Sequence, residues 1–189
     1  MKHRIRLADK NDSAAILKIY EPYVKNTAIS FETEVPALNK FTDRIEKITK
    51  KYPFLLYEID SEIAGYAYSS QHKERAAYDY NVETSIYTVS EYHGKGVAFE
   101  LYDRLFKILL ELGYINAYAC YTEPNKKSEQ FHKKFGFKET GKFEKTGYKF
   151  GQWHDVTWVH KIIQDHNTPK KLMGINEISK VIIDKICEL

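Results

Sequence analysis

The chain opens on the alternating run HRIRLA, with Ile5 and Leu7 on one side and charge on the other, the pattern of a half-buried strand. Asp12 then reads as the cap of a helix whose apolar positions Ala15, Ile16, Ile19, Tyr20 and Tyr23 recur at helical spacing. After KNTAISFETEVP, Pro36 fits the first turn of a second helix, with Leu38, Phe41, Ile45 and Ile48 on one face. FLLYEI and IAGYAYSS, joined at Asp60 and Ser61, predict an antiparallel hairpin, and NVETSIYTV predicts another strand after the polar loop QHKERAAYDY. A long helix follows, striped by Val97, Leu101, Leu105, Ile108, Leu109 and Leu112 and stopped by Gly113. INAYACY reads as a strand and NKKSEQFHKKF as a short helix closed by Gly136. FKETGKFEKTGYKF and WHDVTWVHKII supply the last two strands, turning at Gly151.

This order of elements predicts one mixed α+β domain over residues 1–163. Residues 164–189 read as a Pro-bearing linker and a last helix, with Ile178, Val181, Ile182 and Ile186 turned inward onto the domain or onto a second copy. A length of 189 residues without a break in composition suits a single core. The formal charge of +3 is slight, and no block of Lys and Arg alternates with aromatics, which argues against a nucleic-acid surface. Cys120 and Cys187 lack a second ligand at finger spacing, so reduced thiols and no metal are expected. MKHRIRLADK lacks the apolar segment of a signal peptide, and no apolar run approaches bilayer length, so a soluble cytoplasmic protein is expected.

The segment EYHGKGVAFE places Gly94, Lys95 and Gly96 directly before the long helix. A helix start offers free backbone N–H groups and the positive end of a dipole, and glycine lets an anion come close, so a phosphate group suits this corner. The Walker pattern is missing, and no G-x-G-x-x-G occupies a first strand–turn–helix unit, which disfavours nucleotide readings. In NVETSIYTV, the two-residue period puts Glu83, Ser85 and Tyr87 on one face and Val82 and Ile86 on the other.

His93-Gly94-Lys95-Gly96-Val97-Ala98 resembles the acyl-CoA pyrophosphate loop of the GCN5-related N-acetyltransferases, whose pattern is Gln or Arg, two residues, Gly, one residue, Gly or Ala. AISFETE, KERAAYDYNVETSIYTVSEYHGKGVAFELY, PNKKSEQFHKKFGF and GYKFGQWHDVTW are similar to blocks of the phosphinothricin N-acetyltransferase branch, from about Ile5 to His160. His93, Ala98 and the C-terminal helix depart from the pattern. The resemblance implies the GNAT fold: a central, mostly antiparallel twisted sheet of about six to seven strands with about four flanking helices, and here an extra C-terminal helix. It also implies acetyl-CoA as the acyl donor, a small-molecule amine as acceptor and a homodimer.

Residue by residue, the resemblance makes Glu83 the general base and places the pantetheine arm on the backbone of Ile86, Tyr87 and Thr88, with an amide there, that of Tyr87, serving the carbonyl oxygen. His93, Gly94, Lys95, Gly96, Val97, Ala98 and Phe99 would hold the diphosphate. Asn125 is either a helix cap or a cofactor contact. His132 and Tyr87 compete as the acid for the departing thiolate. Lys73 and Arg75 would meet the acid groups of an amino-acid-like acceptor, and from spacing alone they read as solvated charges. Phe31 would wall the pocket. The activity implied is acetyl transfer to the α-amine of a phosphinothricin-, methionine sulfoximine- or methionine sulfone-type compound. The alternatives are another amine acceptor, such as an antibiotic, a polyamine or a protein N-terminus, or a non-catalytic acyl-CoA-binding module, whose cofactor affinity would not change on loss of Glu83.

Overall fold

The computed structural model describes residues 1–189. Seven strands form one sheet: β1 (His3–Leu7), β2 (Phe54–Ile59), β3 (Glu62–Gln71), β4 (Asn81–Thr88), β5 (Asn116–Thr122), β6 (Lys138–Lys149) and β7 (Gln152–Ile162), in the spatial order β1-β2-β3-β4-β5-β7-β6. Every neighbouring pair is antiparallel except β4 and β5, which run parallel. Five α-helices accompany it: α1 (Ser13–Asn26), α2 (Leu38–Thr49), α3 (Val97–Glu111), α4 (Lys126–Lys134) and α5 (Lys180–Cys187). No helix is long and apolar enough to cross a membrane.

The period of two sorts each strand between two cores. Leu56 and Tyr66 join Ile16, Ile19, Tyr20, Phe41 and Ile45 beneath α1 and α2. Their neighbours Leu55 and Ala67 join Val82 and the stripe Leu101, Leu105, Ile108 and Leu109 of α3 on the opposite face. Burying one such leucine stabilises by about 1.5–3 kcal/mol, so the stripe alone fixes α3 against β2, β3 and β4. α4 lies on the same face, with Phe131 and Phe135 against Tyr102 at 5.1 and 5.4 Å between ring centroids.

Three local expectations are corrected. Asp12 stands at the N-cap of α1 but makes no side-chain bond to that helix; its carboxylate accepts instead from Asp9 N–H (2.8 Å) and twice from the Arg6 guanidinium (2.7 and 2.8 Å), which β1 brings within reach. α2 begins at Leu38 with Ala37 as its cap, so Pro36 stands just outside it. In α5, Ile183 and Cys187 are buried while Val181 is 75% exposed and Ile182 40%. The helix starts only at Lys180, and its phase is set by docking on α3, where Arg104 also donates to the Glu188 carbonyl. Ile178 and Ile186 remain packed against that core.

Candidate active site

β4 and β5 pair at Asn81↔Asn116, Val82↔Ala117 and Glu83↔Tyr118 and then part. Each keeps its outer neighbour instead, β4 following β3 as far as Thr88 and β5 following β7 as far as Thr122, so the twist of two separately paired half-sheets opens a gap between them. Thr84 Oγ1 donates to the Tyr118 carbonyl (3.3 Å) at its apex.

The alternation of the ladder decides which atoms face this gap. Val89 N–H donates to the Ala64 carbonyl and Ser69 N–H to that of Pro53, so Tyr87 exchanges its backbone bonds with Tyr66 of β3. The main-chain groups turned to the gap are therefore those of Ile86 and Thr88. An amide donor at Tyr87 is thus corrected to its neighbours, since a one-residue step reverses the direction of every N–H. The Thr88 carbonyl accepts from the Tyr23 hydroxyl, which also lies 3.2 Å from His93 Nε2.

At the wide end of the gap, Gly94 and Gly96 adopt φ of +77° and +88°, and a Cβ added to either would meet nothing within 4 Å. Gly96 is the left-handed cap of α3 and offers no side chain to it. Glu100 N–H makes the first bond of the helix, to the Gly96 carbonyl (3.0 Å), which leaves the amides of Val97, Ala98 and Phe99 pointing outward. Buried Val97 anchors the turn, Phe99 rests on Phe135, and Lys95 stands over Tyr92. Open space, bare amides and a helix dipole together fit a diphosphate. Asn125 caps α4, its side chain accepting from Ser128 N–H at 3.1 Å.

Glu83 and Tyr87 project to the face of α1 and α2, where a cleft of about 650 Å³ is lined by Ile29, Phe31, Tyr87, Cys120, Phe143 and Trp158 among others. Tyr87 is boxed by Tyr20, Tyr23 and Tyr66 (centroids 5.1, 5.1 and 5.3 Å), and burial raises its pKa well above 10.0. Burial also pushes the Cys120 thiol up to about 11, with Glu83 adding to the effect, which makes it a poor nucleophile. Glu83 Oε1 lies 3.0 Å from His72 Nδ1, a partner the sequence pattern did not single out. Lys73 and Arg75 follow His72 on an exposed loop and make no ion pair, so both charges stand unneutralised beside that pair and outside the cleft wall.

His132 sits on the opposite face of the sheet, buried against Tyr102, Phe131 and Phe137. Its Nδ1–H donates to the Ser128 carbonyl (2.8 Å), and Nε2 lies 3.5 Å from the Tyr102 hydroxyl, itself 3.2 Å from Thr84 Oγ1. Burial lowers its pKa below 6.5. The ring is therefore neutral at neutral pH, with a lone pair rather than a proton at Nε2, and the expectation of a general acid at His132 does not suit this geometry.

Phe31 reaches the cleft because Gly147 makes room: a Cβ there would come within 2.2 Å of its ring. The loop carrying Phe31 is held by Lys149, whose buried Nζ donates to the carbonyls of Val24, Thr27 and Ser30 at 2.7, 2.8 and 2.6 Å. No local pattern marks this lysine, because its three partners lie more than a hundred residues away. Lys149→Met is expected to strand those carbonyls and to cost about 1–3 kcal/mol of stability. Thermal melts check this.

Residues 5–158 match the acetyltransferase (GNAT) domain family. The chain is 30% identical over 174 residues to the phosphinothricin N-acetyltransferase of Streptomyces viridochromogenes, covering 92% of this chain and 95% of that protein. It is 31% identical over 166 residues to the L-methionine sulfoximine/L-methionine sulfone acetyltransferase of Salmonella typhimurium, covering 87% and 97%. Among solved structures, a GNAT superfamily phosphinothricin acetyltransferase from Sinorhizobium meliloti in complex with AcCoA superposes with a TM-score of 0.86 at 27% identity, over 94% of this chain and 98% of that one.

Proposed function

This chain belongs to the acetyltransferase (GNAT) family, and on that premise we propose that it transfers the acetyl group of acetyl-CoA to the α-amine of a small amino-acid-like acceptor of the phosphinothricin, methionine sulfoximine or methionine sulfone type. The observation that carries this reading is the division of labour within β4. The backbone of Ile86 and Thr88 faces the gap that ends at the α3 amides, while the Tyr87 side chain lines the cleft on the neighbouring side and Glu83, on the same face of the strand, stands near the cleft residue Cys120. One strand thus supports donor and acceptor at once.

Acetyl-CoA supplies a thioester already activated toward an amine. The amides of Val97, Ala98 and Phe99 would hold the diphosphate, and the backbone of Ile86 and Thr88 would bond the pantetheine arm as an added strand. Glu83 takes the proton of the acceptor ammonium, an N–H donor on the gap edge of β4 stabilises charge on the carbonyl oxygen, and the Tyr87 hydroxyl, free of any protein partner, donates to the departing sulfur. Lys73 and Arg75 attract the acceptor's acid groups. The enzyme works in the cytoplasm as a homodimer, for which exposed Tyr148, Phe150 and Trp153 on the β6–β7 hairpin offer an apolar surface.

Thiol release from acetyl-CoA, followed against amino acids, sulfoximines, sulfones, polyamines and peptides, tests the reading. The proposed acceptors should give the highest kcat/KM, and Arg75→Ala should raise their KM by about 10-fold or more, as expected for a hydrogen bond to a charged group, with little change for acetyl-CoA. Preference for a polyamine or a peptide, or an Arg75 effect confined to acetyl-CoA, overturns the assignment.

A further inference from the structure

The carboxylate assigned to proton abstraction does not stand alone. His72, immediately after β3, brings Nδ1 to 3.0 Å from Glu83 Oε1. Its ring lies flat on Tyr118, with centroids 4.2 Å and planes 8° apart, and the rings of Tyr78 and Trp158 close its edges at 6.4 and 6.1 Å. Tyr118 in turn stacks on His160 of β7 at 4.8 Å. An imidazole held in such a stack has little freedom to turn, so the direction of Nδ1 is fixed. An ionised carboxylate only accepts, so Nδ1 carries the hydrogen, and Nε2 has no protein partner. The two side chains are unequally covered, His72 being 11% exposed and Glu83 34%, which leaves the second carboxylate oxygen open to a substrate.

We propose that His72 is the positioning residue of the catalytic carboxylate. By donating Nδ1–H to Oε1, it holds Glu83 in one rotamer and aims Oε2 at the acceptor. In the step itself an N–H bond of the acceptor ammonium breaks and an O–H bond forms at Oε2, while the Nδ1–H of His72 stays where it is. The inference rests on Glu83 being the base. The other titratable and charged groups around the pair are Tyr68 on β3, Lys73, Arg75 and Tyr78 on the following loop, Tyr118 and Cys120 on β5, and His160 on β7. None of them hydrogen bonds to the Glu83 carboxylate, so His72 is its single protein donor.

The test compares His72→Phe, which keeps a flat ring on Tyr118 and removes the donor, with His72→Asn, which returns an N–H near the place of Nδ1. His72→Phe should lower kcat about 10- to 100-fold, within the range for general-base catalysis, with both KM values within about twofold. His72→Asn should recover part of the rate, and this variant decides alone if Phe impairs folding. In a Glu83→Gln background, His72→Phe should have no further effect. A wild-type kcat for His72→Phe, or a loss that Asn does not relieve and that adds to that of Glu83→Gln, overturns the role of His72 and leaves Glu83 untouched. Full activity in Glu83→Gln alone overturns the base assignment itself, and this inference with it.

Discussion

Glu83→Gln should lower kcat about 100- to 10,000-fold at neutral pH, the usual span for losing a general base, which corresponds to about 2.7–5.4 kcal/mol of barrier. Acetyl-CoA should bind as before, because the groups proposed to hold it are main-chain atoms on the gap side of β4 and at the start of α3, whereas the Glu83 side chain is turned to His72. The variant should also regain rate as pH rises, since an acceptor amine that sheds its own proton no longer needs the carboxylate. The measurement is kcat against pH with the best acceptor, beside a direct titration of acetyl-CoA. Wild-type turnover at neutral pH removes Glu83 from the chemistry.

Gly96→Val should weaken acetyl-CoA binding by 100-fold or more, about 2.7 kcal/mol on the usual scale. The backbone there has φ of +88°, and a Cβ would enter space that no protein atom occupies within 4 Å, the space a diphosphate needs. A β-branched residue at positive φ also strains the chain by about 1–3 kcal/mol, and this has to be separated from the loss of the site. Gly151 provides the comparison: its φ is +76°, its Cβ position is equally open, and it lies in the turn between β6 and β7. Gly151→Val should lower the melting temperature by a similar amount and leave acetyl-CoA affinity alone. If the two variants bind acetyl-CoA equally well, the diphosphate does not lie at Gly96.

The elements of the fold were legible because each is announced locally. The 3.6-residue stripe of α3 and the strict alternation of β4 follow from geometry that a few consecutive residues already impose, and the structure places Val82 and Glu83 on opposite faces as that alternation requires. Gly94 and Gly96 were readable for the same reason, since only a left-handed turn before a helix needs both. What escaped depends on partners distant in the chain. Arg6 takes Asp12 away from its cap, the register of β3 and β4 turns the Tyr87 amide from the gap, and docking on α3 sets the phase of α5. His72 was hidden in a polar loop, because its role arises only when β5 brings Tyr118 beneath its ring. The buried, neutral state of His132 likewise follows from packing and has no trace in the residues beside it.

The parting of β4 and β5 has a consequence for how such a protein changes over many substitutions. The resting place proposed for the donor, made of peptide groups and a helix origin, is indifferent to side-chain identity, so His93 and Ala98 would alter its rim without dismantling it. The cleft proposed for the acceptor is built instead mainly from the tips of side chains carried by the loop after α1 and by the last three strands. Replacing Phe31, Phe143 or Trp158 reshapes one compartment while the other keeps its form, which makes new acceptors accessible by few steps and a new acyl carrier accessible by almost none.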